Sequence, residues 1–170
     1  MSGTTRGKVK ITEQEWAYAA GMIDGDGHIG VWRQTPREEC RWATPRYYVD
    51  VDVVNTCYPL MEWLQSHFGG TIRGRKTISD RHTKSWHWRL PKSLILEFLQ
   101  GIRPYLIVKT AQADLALQFL EEWVDARALP GKRVPPELLE RRDWFWQEFR
   151  KLNKGGLYHP QRLIEAKPPQ

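Results

Sequence analysis

The nine residues from 19 to 27, Ala-Ala-Gly-Met-Ile-Asp-Gly-Asp-Gly, constrain the fold of this chain more than any other stretch. A helix start precedes them, because Thr12 with Glu15 three residues later has the spacing of a capping box ahead of an apolar run. A strand-like alternation follows from His28 onward. The stretch is therefore predicted to end a helix, to lead directly into a strand and to place Asp26 at the junction.

Small residues recur along one side of this predicted helix. Ala17, Gly21 and Gly25 are four residues apart, a spacing that forms one stripe on which another backbone packs closely. Glycine inside a helix costs roughly 1 kcal/mol relative to alanine, so the two glycines indicate a packing reason. Asp24 and Asp26 lie at the C-terminal end, where the helix dipole disfavours negative charge. A carboxylate placed against that field is a metal-site candidate.

Two simpler interpretations compete for the Asp-Gly-Asp-Gly segment. It has the composition of a turn, since Asp and Gly both tolerate unusual backbone angles. It also resembles the start of an EF-hand calcium loop, but that loop needs Gly at its sixth position and Glu at its twelfth, where this chain has Ile29 and Thr35. The capping box before the segment and the strand pattern after it favour the helix-to-strand junction.

Length and composition bound the remaining possibilities. The chain has 170 residues, enough for one domain, a net charge of +6 and nine tryptophans, which are expected mainly in core or interface positions. The two cysteines, Cys40 and Cys57, lack metal-ligand spacing, which predicts a reduced intracellular compartment and no zinc site. The polar start, Met1 to Lys10, predicts that the protein is not secreted, and no apolar run predicts a membrane span.

Hydrophobic periodicity predicts two pairs of strands, each introduced by a helix, followed by further helices. The predicted strands are His28–Gln34, Arg46–Val54, Thr71–Ile78 and Lys84–Leu90, and the later helices are Pro59–Phe68, Lys92–Ile102, Lys109–Ala126 and Pro136–Asn153. This order predicts an α+β fold in which one antiparallel four-stranded sheet carries helices on one face and leaves the other open. Residues 1–154 are expected to form the core, and residues 155–170 a weakly structured tail.

The open face of the predicted sheet has the composition of a nucleic-acid reader. Arg and Gln make paired hydrogen bonds to guanine and adenine edges, and Asp accepts from cytosine. The alternative is an ordinary solvated face, which this mixture of arginines, aromatic rings and few acids disfavours. Basic residues in the turns, Arg37, Arg41, Arg81 and Lys84, are placed to reach phosphates. The predicted DNA-binding face comprises His28, Gly30, Trp32, Gln34, Arg46, Tyr48, Asp50, Asp52, Arg73, Arg75, Thr77, Ser85, His87 and Arg89.

Residues 19–27 resemble the LAGLIDADG motif of homing endonucleases, with six of nine positions identical. Residues 103–113 also resemble the segment that opens the third long helix of single-motif members, and 146–153 resemble the last core helix. The resemblance implies the αββαββα fold and, because the motif occurs once, a homodimer that cuts both strands of a long pseudo-palindromic double-stranded DNA target. Members carry a basic residue shortly after the position of Asn55, where this chain has Cys57 or Tyr58.

The resemblance also implies roles for individual residues. Asp26 with the Gly25 carbonyl would bind Mg²⁺, two or more ions being shared at the dimer interface. Lys109 would be the catalytic lysine, and Asn55 would position water near the metals. The implied dimer interface comprises Ala17, Gly21, Asp24 and Gly25.

Three other functions fit parts of the sequence. The chain could be an intron RNA maturase of the same fold, with host intron RNA as partner, or a DNA-binding regulator without catalysis. An intact Asp26 and Lys109 argue against the regulator, since a regulator needs no metal-binding acid. A single-stranded RNA binder that stacks bases on Trp and Tyr is disfavoured by the acids at the helix end.

Overall fold

The computed structural model describes residues 10–36, 44–75, 83–125 and 134–154. Their helices and strands follow the predicted order, and all except the two strands of the second hairpin begin and end within one residue of their predicted bounds. A short 3₁₀ turn, Arg103–Tyr105, joins the third and fourth helices. The elements are α1 Glu13–Asp26, β1 Gly27–Gln34, β2 Arg46–Asn55, α2 Tyr58–Phe68, β3 Thr71–Gly74, β4 Trp86–Arg89, α3 Lys92–Ile102, α4 Thr110–Asp125 and α5 Pro136–Lys154.

The four strands form one antiparallel sheet in the order β1-β2-β4-β3. β1 pairs with β2 along its whole length, from Gly27 opposite Val53 to Gln34 opposite Arg46. Each ββ pair is therefore a hairpin, and β2 and β4 meet at the centre of the sheet. The predicted α+β class and the four-stranded antiparallel sheet are confirmed.

One face of the sheet builds the core. Along β2, Tyr47, Val49, Val51 and Val53 are buried beneath the helices, and Trp88 of β4 lies opposite Val53. This alternation is the one the sequence predicted, because successive strand residues point to opposite faces. The residues between them point to the other face, where Arg46 is exposed and Tyr48, Asp50 and Asp52 are half-buried.

The capping box and the helix-to-strand junction both form as predicted. Thr12 Oγ1 accepts from the Glu15 backbone N–H at 3.3 Å, and Glu15 Oε2 accepts from the Thr12 N–H at 2.7 Å. α1 ends at Asp26 and β1 begins at the next residue. A Cβ on Gly27 would lie 2.6 Å from Ile23 Cα, so only glycine lets the chain turn here so closely against the helix.

The second hairpin has shorter strands than predicted. β3 ends at Gly74 and β4 begins at Trp86, although the Arg75 N–H still donates to the Ser85 carbonyl at 2.9 Å. Thr77, the turn residues Arg37, Arg41 and Arg81, and the predicted tail 155–170 lie outside the described residues. Within the described ranges, none of the helices combines the length and the apolarity needed to cross a membrane.

Candidate active site and nucleic-acid interface

Asp26, the last residue of α1, meets the end of β2 at the junction. Asn55 Nδ2 donates to Asp26 Oδ2 at 2.6 Å, and Asn55 Oδ1 accepts from the Cys57 backbone N–H at 2.8 Å. Both ends of the Asn55 amide are thus engaged, which fixes its orientation and, through it, that of the Asp26 carboxylate. Asp26 itself is exposed. The structure therefore brings together two of the residues that the sequence assigned to one site, 29 positions apart.

Asp24 and Lys109 form a reciprocal clasp between the end of α1 and the segment that leads into α4. The Asp24 carboxylate accepts the backbone N–H groups of Ile107 and Lys109, each at 2.8 Å. In return Lys109 Nζ donates to the carbonyls of Ile23 at 2.8 Å and Asp24 at 2.6 Å. A cation beside the terminal carbonyls of a helix stabilises it, because the helix dipole gives this end a negative partial charge. The Ile23 carbonyl also accepts from the backbone N–H of Gly27. The clasp positions the helix end that carries Asp26.

The clasp sets the electrostatics of the site. Burial lowers the pKa of Lys109, against the attraction of Asp24 and Asp26, which raises that pKa. The half-buried ammonium therefore lies within electrostatic reach of Asp26 and of any group bound there. The carboxylate of Asp24, predicted at the dimer interface, makes its two hydrogen bonds within its own chain.

The donors available for a metal are oxygen atoms. Asp26 offers an exposed carboxylate, and Gly25 beside it offers an exposed backbone carbonyl, the hard ligands that Mg²⁺ prefers. Among the described residues of one chain, no three His, Cys, Asp or Glu side chains are grouped to hold a metal ion. These donors fit a cation whose remaining ligands come from outside the chain.

The open face of the sheet carries the predicted polar residues. His28, Gly30, Trp32 and Gln34 of β1 lie opposite Asp52, Asp50, Tyr48 and Arg46 of β2, and Arg89 and His87 of β4 lie opposite Thr71 and Arg73 of β3. Antiparallel partners share a face, so these side chains form one surface, with Arg75 and Ser85 at its edge. Trp32 on this surface is 59% exposed. Only Thr77 of the predicted set lies outside the described residues.

Contacts within this surface hold several of its side chains in place. Arg89 Nη2 lies 2.5 Å from Asp50 Oδ2, and His87 Nε2 lies 3.4 Å from Asp52 Oδ1. The two aspartates, expected as acceptors from cytosine, thus contact basic neighbours on the adjacent strand. The Tyr48 hydroxyl donates to Gln34 Oε1 at 3.0 Å. Such contacts fix long side chains before any ligand binds.

The small-residue stripe of α1 faces outward. Ala17, Gly21 and Gly25 are exposed, whereas Ala19, Ala20 and Ile23 on the opposite side are buried. A Cβ built on Gly21 or Gly25 meets nothing within 4 Å among the described residues outside the helix's own backbone and neighbours. The packing of the single chain therefore does not require either glycine.

An apolar pair beside α1 was missed by the sequence analysis. Ile107 is 77% exposed and Val108 is 46% exposed, and the backbone around them is held by the Asp24 carboxylate. The sequence does show an apolar run, residues 106–108, in the segment predicted to connect two helices. Exposed branched side chains are unexpected in such a connection.

Known structures share this architecture. The homing endonuclease I-CvuI, in complex with the I-CreI target, superposes with a TM-score of 0.67 at 23% identity, covering 84% of this chain and 85% of that one. The archaeal intron-encoded homing endonuclease I-Vdi141I, complexed with DNA, gives 0.66 at 17% identity, covering 89% and 93%.

A third structure extends the comparison to lower similarity. The homing endonuclease I-TnaI gives a TM-score of 0.52 at 13% identity, covering 92% of this chain and 95% of that one. This chain has the LAGLIDADG fold. No protein-family model matches the sequence, and no curated protein sequence matches it closely. The LAGLIDADG fold, which the resemblance of residues 19–27, 103–113 and 146–153 implied, is thus confirmed by the architecture of the described residues.

Proposed function

We propose that the chain is one subunit of a homodimeric, site-specific DNA endonuclease that cuts both strands of its target by metal-dependent phosphodiester hydrolysis. One observation carries the proposal. An exposed carboxylate, Asp26, is oriented by Asn55 where the outward-facing stripe of α1 meets the edge of a polar, arginine-bearing sheet face. Pairing two such stripes would place two Asp26 carboxylates near each other, with the two open faces flanking them.

Double-stranded DNA is the partner that best fits the open face. The arginines on the face supply paired donors for guanine, and the net charge of +6 favours a polyanion. The structures of I-CvuI and I-Vdi141I that resemble this chain are complexes with DNA. An eight-residue strand at about 3.3 Å per residue spans about eight base pairs, so two faces and the centre would cover roughly 20.

The cofactor that fits the donors is Mg²⁺, which Asp26 and the Gly25 carbonyl would hold, two or more ions being shared across the dimer. Two structures of I-CvuI with DNA were determined in the presence of Mg or Ca. Bound Mg²⁺ would supply Lewis-acid activation of the scissile phosphodiester. Asn55 orients the Asp26 carboxylate and would help to position water beside it. The Lys109 ammonium, partly desolvated by burial, would stabilise negative charge that develops on the phosphate.

Two observations support the proposed dimer: the number of exposed carboxylates that one chain supplies, and the two glycines of the α1 stripe. One chain supplies one exposed carboxylate at the junction, and cutting two strands needs two such centres. Two helical glycines that the single chain does not require are explained if a second α1 packs on the stripe. A twofold protein implies a pseudo-palindromic target with two half-sites.

Cleavage selection tests the proposal directly. The purified chain is incubated with a randomised DNA library in Mg²⁺, and with EDTA as control, and the new ends are sequenced. We expect twofold-symmetric sites cut on both strands in Mg²⁺ only. Tight, selective binding without cutting in any divalent cation would instead identify a regulator, and binding to structured RNA alone would identify a maturase.

A further inference from the structure

A basic groove of about 320 Å³ lies on α5, outside the sheet and the α1 junction. It is lined by Trp146, Gln147, Arg150, Lys151 and Lys154. Of its three cations, Lys151 is paired with Glu148 at 2.5 Å, which leaves Arg150 and Lys154 as the main positive charges of the groove. Trp146, Arg150 and Lys154 are four positions apart along the helix, as are Gln147 and Lys151, so the lining residues share one side of it. Neither the Asp26 site nor the open face accounts for this concentration of positive charge.

Arg150, the central cation of the groove, lies beside an aromatic ring. The Arg150 guanidinium lies 4.8 Å from the ring centroid of Trp146, and Arg33 of β1 lies 4.9 Å from that ring. Arg33 is held in turn by Asp143, with Nη1 3.3 Å from Oδ1. A guanidinium that contacts a ring through its flat side keeps its edge N–H donors free for paired hydrogen bonds with phosphate oxygens.

The end of α5 borders the open face. Asn153 Nδ2 donates to the Ile29 carbonyl of edge strand β1 at 3.3 Å. A Cβ built on Gly30 would lie 3.5 Å from Asn153 Nδ2 and 2.5 Å from His28 Nε2. Gly30 and His28 belong to the open face, so the last turn of α5, ending at Lys154, reaches the margin of the proposed DNA-reading surface.

We propose that this α5 groove binds the phosphodiester backbone of the same DNA duplex whose bases face the sheet. The inference rests on the proposed function and adds to it a contact that carries no sequence information. A phosphate-bearing polymer fits because the groove offers the cations Arg150 and Lys154 beside the ring of Trp146. The duplex fits better than a separate RNA, because the groove continues the margin of the open face.

Salt-dependent affinity measures the contact. DNA binding in Ca²⁺ is followed from 50 to 200 mM salt for the wild-type chain, Lys154→Gln, and Arg150→Gln with Lys154→Gln. Lys10→Gln is the matched control, because it also removes one positive charge. Lys10 precedes the start of α1, and a helix of 14 residues places that start roughly 20 Å from Asp26 at its other end. Thermal melts confirm that each variant is folded.

Each lost phosphate contact should reduce the slope of log affinity against log salt by about 0.9. We expect that reduction for Lys154→Gln, twice as much for the double variant, and none for Lys10→Gln. The affinity advantage of the wild type over the double variant should then shrink about 12-fold from 50 to 200 mM salt. The sequence profile of cut sites should stay unchanged.

Two results would overturn the inference while leaving the proposed function intact. One is an unchanged slope in folded Lys154→Gln and in the double variant. The other is a loss of affinity for a structured RNA with unaltered DNA binding, which would assign the groove to RNA. A wild-type chain that binds no duplex would defeat both the inference and the proposed function.

Discussion

Gly21→Ala should have opposite effects on the single chain and on the dimer. In the single chain the new methyl group enters open space, since a Cβ there meets nothing within 4 Å among the described residues. The helix gains the propensity difference, about 0.8–1.0 kcal/mol. In the dimer the same methyl group enters a close helix–helix contact, where overpacking costs about 1–3 kcal/mol. With one such group per subunit, the association free energy should weaken by at least about 2 kcal/mol, or roughly 30-fold in Kd.

Two assays separate these effects. Urea unfolding at the lowest workable protein concentration reports the single chain, and sedimentation over a dilution series reports the dimer. Gly27→Ala is the contrasting control, because its Cβ would lie 2.6 Å from Ile23 Cα and should destabilise the chain itself. A Gly21→Ala variant that keeps the wild-type dimer Kd would show that the stripe is not the interface. A variant less stable than wild type at high dilution would refute the reasoning about open space.

Three further predictions concern other parts of the molecule. Arg73→Ala should cost about 1–3 kcal/mol of DNA-binding free energy and relax base preference at one position in each half-site, as read by sequencing cleaved library members. Asp24→Asn should lower the free energy of unfolding by about 1–3 kcal/mol in urea melts, because one amide oxygen cannot replace both carboxylate contacts to the N–H groups of Ile107 and Lys109. Burial raises the pKa of Tyr47 to about 12. The contribution of the neutral Tyr47 hydroxyl to stability should therefore be complete below about pH 10 and be lost as pH rises towards 12. Tyr47→Phe should remove that decline in the free energy of unfolding measured against pH.

Local patterns were sufficient to predict the elements and their faces. The alternation along β2 identified both the buried valines and the half-buried Asp50 and Asp52 on the other face, because the side-chain period of a strand is two. The Thr12–Glu15 spacing identified the start of α1, since a capping box involves only neighbours in sequence. The exposed stripe also followed from spacing alone, because the side of a helix on which a residue lies is set by its position.

Contacts between distant segments could not be predicted in the same way. The bonds from Asp24 to Ile107 and Lys109 join residues more than 80 positions apart, and they depend on where the helices pack. The same is true of the α5 groove, where Arg33 of β1 contacts the ring of Trp146. Family resemblance placed Lys109 near the site, but not its role in holding the terminal carbonyls of α1.

Asp26→Asn tests the central claim most directly. Asparagine keeps the size of the side chain and can present its amide oxygen to Asn55 Nδ2, so the junction should stay intact while the charge that a hard cation requires is lost. Wild type and variant are compared by nicking in Mg²⁺ and by gel shift in Ca²⁺ on the selected target. We expect cutting of both strands to be abolished, with DNA binding retained or strengthened because a carboxylate beside phosphates is repulsive without metal. Wild-type cleavage by the variant would contradict the account.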